Sequence, residues 1–189
     1  LIDENAPVNP LSHYAQTKVE AEKIIMGKMK NYLIFRLGTL FGLGDRFSRI
    51  RLDLVVNILT KRAVFGEPLV VNGCGQWRPL LHVKDVARAI LFRFEHDVSG
   101  LYNVSMKNYM IHQVADEIAA LLPNNVTVSY VNAKFEDLRN YRVVADKFKA
   151  FGWEPRYDLA FGVNELYRTL REKRIKWPND RIYSNADYI

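Results

Sequence analysis

Apolar and polar positions alternate along this chain in two rhythms, and the switches between them mark the elements. From Ser12 to about Met29 there is no proline, and Ala, Glu and Lys dominate. Ser12 stands just after Pro10 where a helix N-cap belongs, so a helix is predicted there. Tyr32-Leu33-Ile34-Phe35-Arg36-Leu37 is a short, nearly unbroken apolar run ended by Gly38. A run of that size suits a strand buried on both faces, as in a parallel sheet. Arg51 to Phe65 returns to helical spacing through Leu52, Val55, Val56, Leu59 and Ala63, and stops at Gly66. Leu69-Val70-Val71 before Asn72-Gly73 predicts a short strand and turn. Asp85 to Phe94 reads as a helix and Leu101 to Val104 as a strand. Ile111 to Leu122 reads as an amphipathic helix closed by Pro123, and Val126 to Val131 as a β-branched strand. A short helix is expected around Lys147, ending near Gly152, and a long one from about Leu159 to Arg174. Helices and strands in alternation predict an α/β fold with crossover helices between parallel strands.

Composition narrows the class. The 189 residues are 49% hydrophobic and 25% charged, which excludes intrinsic disorder and permits one real core. Nothing approaches the roughly 18–20 apolar residues of a spanning helix. The single cysteine, Cys74, excludes an internal disulfide and a multi-thiolate metal site, and fits a reducing, cytoplasmic setting; no metal site is predicted. Leu1-Ile2-Asp3-Glu4-Asn5 has no Met, basic start or long apolar stretch, so it is not a signal peptide and reads as the middle of a protein. The net charge of +6 would suit nucleic acid, a membrane surface or a phosphate-bearing ligand. Its distribution disfavours the first two. Lys18, Glu20, Glu22, Lys23, Lys28 and Lys30 interleave, and the dense group Arg168, Arg171, Lys173, Arg174 and Lys176 reads as a solvated helix face. Zinc-finger spacing, a basic region with heptads and an aromatic RNA-binding signature are all missing from the sequence.

Tyr14-Ala15-Gln16-Thr17-Lys18 is the candidate for chemistry, with an ordinary pair on a helix surface as the alternative that the spacing alone leaves open. Residues four apart on a helix share a face, so the Lys18 ammonium can sit near the Tyr14 phenol. A phenol ordinarily titrates near pH 10, and a fixed cation beside it favours the phenolate. Tyr130-Val131-Asn132-Ala133-Lys134 repeats the spacing at a strand end, where the two side chains do not converge. His13 neighbours Tyr14 but points off its face. His82 reads as an ordinary core residue and Cys74, between two glycines, as a turn residue.

Pro10-Leu11-Ser12-His13-Tyr14-Ala15-Gln16-Thr17-Lys18-Val19-Glu20-Ala21-Glu22 resembles the catalytic helix of extended short-chain dehydrogenases/reductases, and more narrowly of the NAD-dependent nucleotide-sugar epimerases and dehydratases. Arg36 to Gly42 resembles the strand and loop under the nicotinamide, and Gly73 to Ala87 the segment whose arginine grips the diphosphate. Leu101 to Val104 and Phe151 to Pro155 are similar to two more recurring segments, so the resemblance covers nearly the whole chain. It implies the last Rossmann strands plus a small substrate-binding unit. The corresponding segments are 1–45 for the catalytic helix and late strand, 46–79 for a substrate-domain insertion, 80–107 for the last Rossmann helix and strand, and 108–189 for the substrate domain.

The resemblance also implies roles. Tyr14 would take a proton from a sugar hydroxyl while hydride passes to NAD, and Lys18 would favour the phenolate and hydrogen-bond the nicotinamide ribose. Backbone at Thr39 and Leu40 would border the carboxamide. Arg78 would pair with the diphosphate of a nucleoside-diphosphate sugar, a task for a planar, permanently charged fork. Asp137-Leu138-Arg139-Asn140-Tyr141 resembles a segment near the nucleotide, which brings in Arg139 and Asp137. Relatives often dimerise by packing helices, and the helix with Tyr14 would be one of them. Thr39 where many relatives have Asn, Leu43 for a frequent Pro and Pro79 for a frequent Asp point to a subgroup with its own substrate.

One expected part is missing. A glycine-rich turn that brings backbone to the pyrophosphate at a helix N-terminus does not occur in these residues. Gly38 to Gly44 has the wrong spacing and follows a late strand. The chain is therefore expected to be the C-terminal portion of a longer enzyme and inactive alone. The alternatives are a non-catalytic half-protein that binds a nucleotide sugar or a partner chain, and a basic nucleic-acid-binding domain.

Overall fold

A computed structural model of the chain describes residues 1–45, 47–72, 75–123, 125–131 and 140–185. Helix α1 (His13–Lys28) starts where Ser12, in extended conformation, accepts a hydrogen bond from Ala15 N–H. Strand β1 (Leu33–Leu37) pairs in parallel with β5 (Gly100–Val104), Phe35 opposite Tyr102. Strand β2 (Thr39–Phe41) pairs in parallel with β4 (Trp77–His82), and β4 pairs antiparallel with β6 (Lys107–Met110). A third small sheet joins β3 (Leu69–Asn72) in parallel with β7 (Val128–Val131). The remaining helices are α2 (Val55–Val64), α3 (Val83–Glu95), α4 (Ile111–Leu121), α5 (Asp146–Lys149) and α6 (Leu159–Arg171), followed by a 3-10 turn at Arg181–Tyr183.

Periodicity placed the helical faces correctly. In α4 the buried residues are Ile111, Val114, Ala115 and Ile118, one stripe at helical spacing. In α6 the stripe is Leu159, Gly162, Val163, Leu166 and Leu170. These two stripes meet α2 and strands β2 to β4 in the larger core. A second core gathers Leu81, Ala89, Tyr102, Val104, Phe148 and Trp153 beneath β1 and β5. Helix α1 behaves differently. None of its residues is buried, and Ile24, Ile25, Met26 and Met29 stand exposed.

Two helix boundaries and one strand pairing differ from expectation. The helix predicted from Arg51 begins at Val55, because Arg51 forms a two-armed pair with Asp53 and Asn57 Nδ2 donates to the Arg51 carbonyl. The helix predicted to Arg174 ends at Arg171, with Lys173 in a left-handed conformation at φ 55°. The β4–β6 pair is antiparallel, so the sheet system is mixed. Asp85, fully buried near the start of α3, ties that helix to the entrance of α6. Its carboxylate accepts from Arg156 N–H and Tyr157 N–H and pairs with Arg88.

Candidate active site

The Ser12 cap sets the register of α1 and thereby places Tyr14 and Lys18 one turn apart on one side of the helix. Lys18 Nζ stands 5.4 Å from the centre of the Tyr14 ring. Tyr14 itself is 71% exposed. Both residues line a cavity of about 370 Å³ whose far side is Leu37 and Gly38, at the exit of β1. A Cβ on Gly38 would lie 3.0 Å from the Pro79 carbonyl oxygen, so a side chain there would press on the β4 backbone where the chain passes from β1 to β2.

The rest of the cavity comes from segments remote in sequence. Residues 2–10 cross from the sheet to α1, and Ile2 exchanges hydrogen bonds with the Arg142 carbonyl and with Val144 N–H. Glu4 accepts Asn103 N–H at 2.7 Å, and Asn103 Nδ2 donates to the Val144 carbonyl at 3.1 Å. Asn108 holds Val143 on both its N–H and its carbonyl, each at 3.0 Å. Two asparagine side chains thus do the work of strand bonds, and they deliver Tyr141 to the cavity wall.

Arg36 completes the cavity. A charge in the middle of an apolar strand must be paired to be tolerated. Its Nε and Nη2 donate to the two carboxylate oxygens of Glu22 on α1, at 3.0 and 2.7 Å, and Nη1 donates to the Glu4 carbonyl. The hydrogen bond to Glu22 raises the Arg36 guanidinium above its ordinary range, against the opposing effect of burial.

The other predicted residues are distributed as follows. Thr39 and Leu40 lie on β2, half-buried and directly after Gly38, but not on the cavity wall. Arg78 is 6% exposed on β4, donating to the Trp77 carbonyl and to Gln76 Oε1, and is also off that wall. Its neighbour Trp77 donates its N–H to Asn140 Oδ1 and carries the Arg142 guanidinium 4.8 Å above its ring. The chain segment following the predicted nucleotide contacts therefore packs beside the arginine strand. Asp137, Arg139, Lys134 and Cys74 lie outside the described residues. His13 is exposed, and Tyr130 hydrogen-bonds Asp116.

A larger groove of about 610 Å³ runs along α6 past Phe161, Asn164, Arg168 and Thr169. Its lining includes the exposed pair Arg174 and Glu172, 2.6 Å apart, and none of the residues singled out in the sequence for chemistry. At the groove's edge Glu165 gathers three segments. It accepts Leu43 N–H at 3.0 Å, pairs with Lys84, and lies 3.4 Å from His82 Nε2. His82 is fully buried and accepts Lys84 N–H at Nδ1, with Nε2 turned toward Glu165. Burial alone would raise the Glu165 carboxyl. The approach of His82 and the bonds from Lys84 and Leu43 prevail and hold it at about 2, against an ordinary 4.5. A depressed carboxylate stabilises the fold above its unfolded value and loses that contribution as pH falls toward the folded one. Parent and Glu165→Gln proteins should therefore differ by about 2 kcal/mol at pH 6, after allowance for partial exposure. In chemical unfolding the gap should close between about pH 4.5 and 2.

Among the described residues, no group of three His, Cys, Asp or Glu could hold a metal ion, and no helix is long and apolar enough to cross a membrane. The profile of the NAD dependent epimerase/dehydratase family matches residues 2–105, more than half the chain and the part that carries Tyr14, Lys18 and Arg78. The chain belongs to that family. A putative UDP-glucose 4-epimerase of Methanocaldococcus jannaschii is 26% identical over 180 residues, 90% of this chain and 57% of its own length. The UDP-glucose 4-epimerase of Thermus thermophilus, solved in complex with NAD, superposes with TM-score 0.72 at 22% identity, covering 90% of this chain and 57% of that one. The dTDP-glucose 4,6-dehydratase of Bacillus anthracis, also with NAD, gives TM-score 0.71 at 24% identity over 92% and 56%. The chain thus spans somewhat more than half the length of the relatives it matches.

NAD is the cofactor of this epimerase/dehydratase family. The residues present fit one end of it: a phenol and an ammonium over a cavity closed by the bare backbone of Gly38. Among the described residues they do not supply a phosphate turn. After Gly38 to Gly44 the next helix starts only at Val55, and Gly42, at φ 88°, is occupied by its approach to the His82 ring.

Proposed function

We propose that the chain is the C-terminal portion of an NAD-dependent nucleotide-sugar epimerase or dehydratase that acts on a hexose C4 hydroxyl. The observation that carries the reading is Lys18 held against the Tyr14 ring in a cavity that ends at Gly38. Tyr14 takes the hydroxyl proton as general base and returns one as general acid. Lys18 stands beside the phenol and would hold the nicotinamide ribose, and backbone at Thr39 and Leu40 would hold the carboxamide. NAD, when bound, accepts and returns the hydride. Arg78 turns from Gln76 to the sugar nucleotide's diphosphate, with Arg139 and Asp137 toward the nucleoside. Segments 1–45 and 80–107 serve the cofactor side, and 46–79 and 108–189 the substrate side.

Two features support a larger working assembly. Strand β1 pairs only with β5 among the described residues, which leaves an edge open to a further parallel strand. The exposed Ile24, Ile25, Met26 and Met29 of α1 would be covered by a second subunit in a homodimer. The 189-residue chain alone is expected to show no NAD-dependent turnover of UDP-, dTDP-, GDP- or CDP-hexoses, and measurable turnover would overturn its incompetence. The lack of a glycine-rich turn favours one second reading, a half-protein that binds a nucleotide sugar without NAD. A rise in melting temperature with a nucleotide sugar alone, in a chain whose natural product is no longer than this, would select that reading.

A further inference from the structure

The cavity beside Tyr14 contains an ion pair to which the reading above gives no role. Helix α1 has no buried residue, so little apolar packing fixes its height over the sheet. The polar link is the two-armed bond from Arg36 on β1 to Glu22, one turn beyond Lys18 on the same helix. Two parallel N–H···O bonds fix orientation as well as distance, which a single lysine contact does not. The pair also controls charge. The lining residues include two cations, Lys18 and Arg36, and Arg36 is cancelled by Glu22. The other polar groups facing the cavity are the acid Asp3, turned onto Asn5, with Asn9, Asn103 and Tyr141, while the nearby Glu4 carboxylate is engaged by Asn103.

Resting on the reading of Tyr14 as the acid/base, we propose that Glu22 and Arg36 are its positioning residues: they pin α1 to β1 and cancel each other's charge, so that Lys18 is the cation that acts on the phenol beside it. The two charges then have opposite effects when removed singly. Glu22→Gln frees the Arg36 cation inside the cavity and favours phenolate. Arg36→Gln leaves the Glu22 carboxylate alone and opposes it. A brace with no electrostatic part would loosen the helix yet leave Tyr14 titrating as before, because Tyr14 and Lys18 travel together on α1.

The test uses the 189-residue chain with ¹³C-labelled tyrosine, the Tyr14 signal being assigned by its loss in Tyr14→Phe. Amide exchange across residues 13–28 should speed up about tenfold in either single variant, the loss expected for a hydrogen-bonded charged pair. The Tyr14 titration should move about half a pH unit down in Glu22→Gln and about as far up in Arg36→Gln. The exchanged pair Glu22→Arg with Arg36→Glu should restore slow exchange. Unchanged exchange, or titrations that coincide with the parent's in both single variants, would overturn the proposal. Failure of the underlying reading shows elsewhere, as turnover retained by Tyr14→Phe in the intact enzyme.

Discussion

Replacing Tyr14 by Phe in the intact enzyme is expected to lower kcat about 10³-fold, with the KM for the sugar nucleotide little changed. The ring and its contact with Lys18 survive the substitution, so the helix keeps its place; only the oxygen proposed to move the proton is lost. General acid–base groups contribute roughly 10²–10⁴-fold. An interaction made only in the transition state lowers kcat and kcat/KM together. Lys18→Met should add a second signature, activity that recovers partly toward alkaline pH, since the remaining phenol then lacks the ammonium 5.4 Å from its ring. Steady-state kinetics with a sugar nucleotide that raises the melting temperature would check both. A Tyr14→Phe enzyme within tenfold of the parent would move the acid/base role to another residue.

The Tyr14–Lys18 contact was legible because it is local: helical spacing alone brings residues four apart together, and Ser12 announces where the helix starts. The same holds for α4 and α6, whose buried stripes are the apolar residues that periodicity selects. What escaped were contacts that only the fold creates. Strands β2 and β6 are short, and β4 carries Pro79 in its middle, a residue that argues against a strand with neighbours on both sides. Here Pro79 is tolerated opposite Asn108, whose side chain is turned away to bind Val143. Tyr141 reaches the cavity through Asn103 and Asn108, residues more than 30 positions away, and nothing near Tyr141 signals it. Arg36 did carry a signal, as a charge inside an apolar strand that had to find a partner. Arg78 was found as a residue type but not in its setting, buried against Gln76 and the Trp77 carbonyl.

The largest loss of stability is expected from Asp85→Ala, at about 3–5 kcal/mol. The carboxylate is fully buried and answers three donors at once: Arg156 N–H at 3.0 Å, Tyr157 N–H at 3.0 Å and the Arg88 guanidinium at 2.6 Å. Alanine would leave two backbone donors without an acceptor and a cation without its partner, each at the cost of desolvation. The lesion would also be structural in a specific place, because Asp85 joins α3, which follows the Arg78 strand, to residues 156–157 at the entrance of α6. Asp85→Asn keeps one acceptor oxygen but surrenders the charge, so it should fall between alanine and the parent. Asp97→Ala is the control: that side chain is 95% exposed and only 3.6 Å from Arg93 at best, so its loss should leave the unfolding midpoint unchanged. Urea unfolding of the four proteins at one pH measures the series directly. If Asp85→Ala unfolds with Asp97→Ala, α3 and α6 are held by their apolar stripes, and the buried carboxylate is not what joins α3 to the entrance of α6.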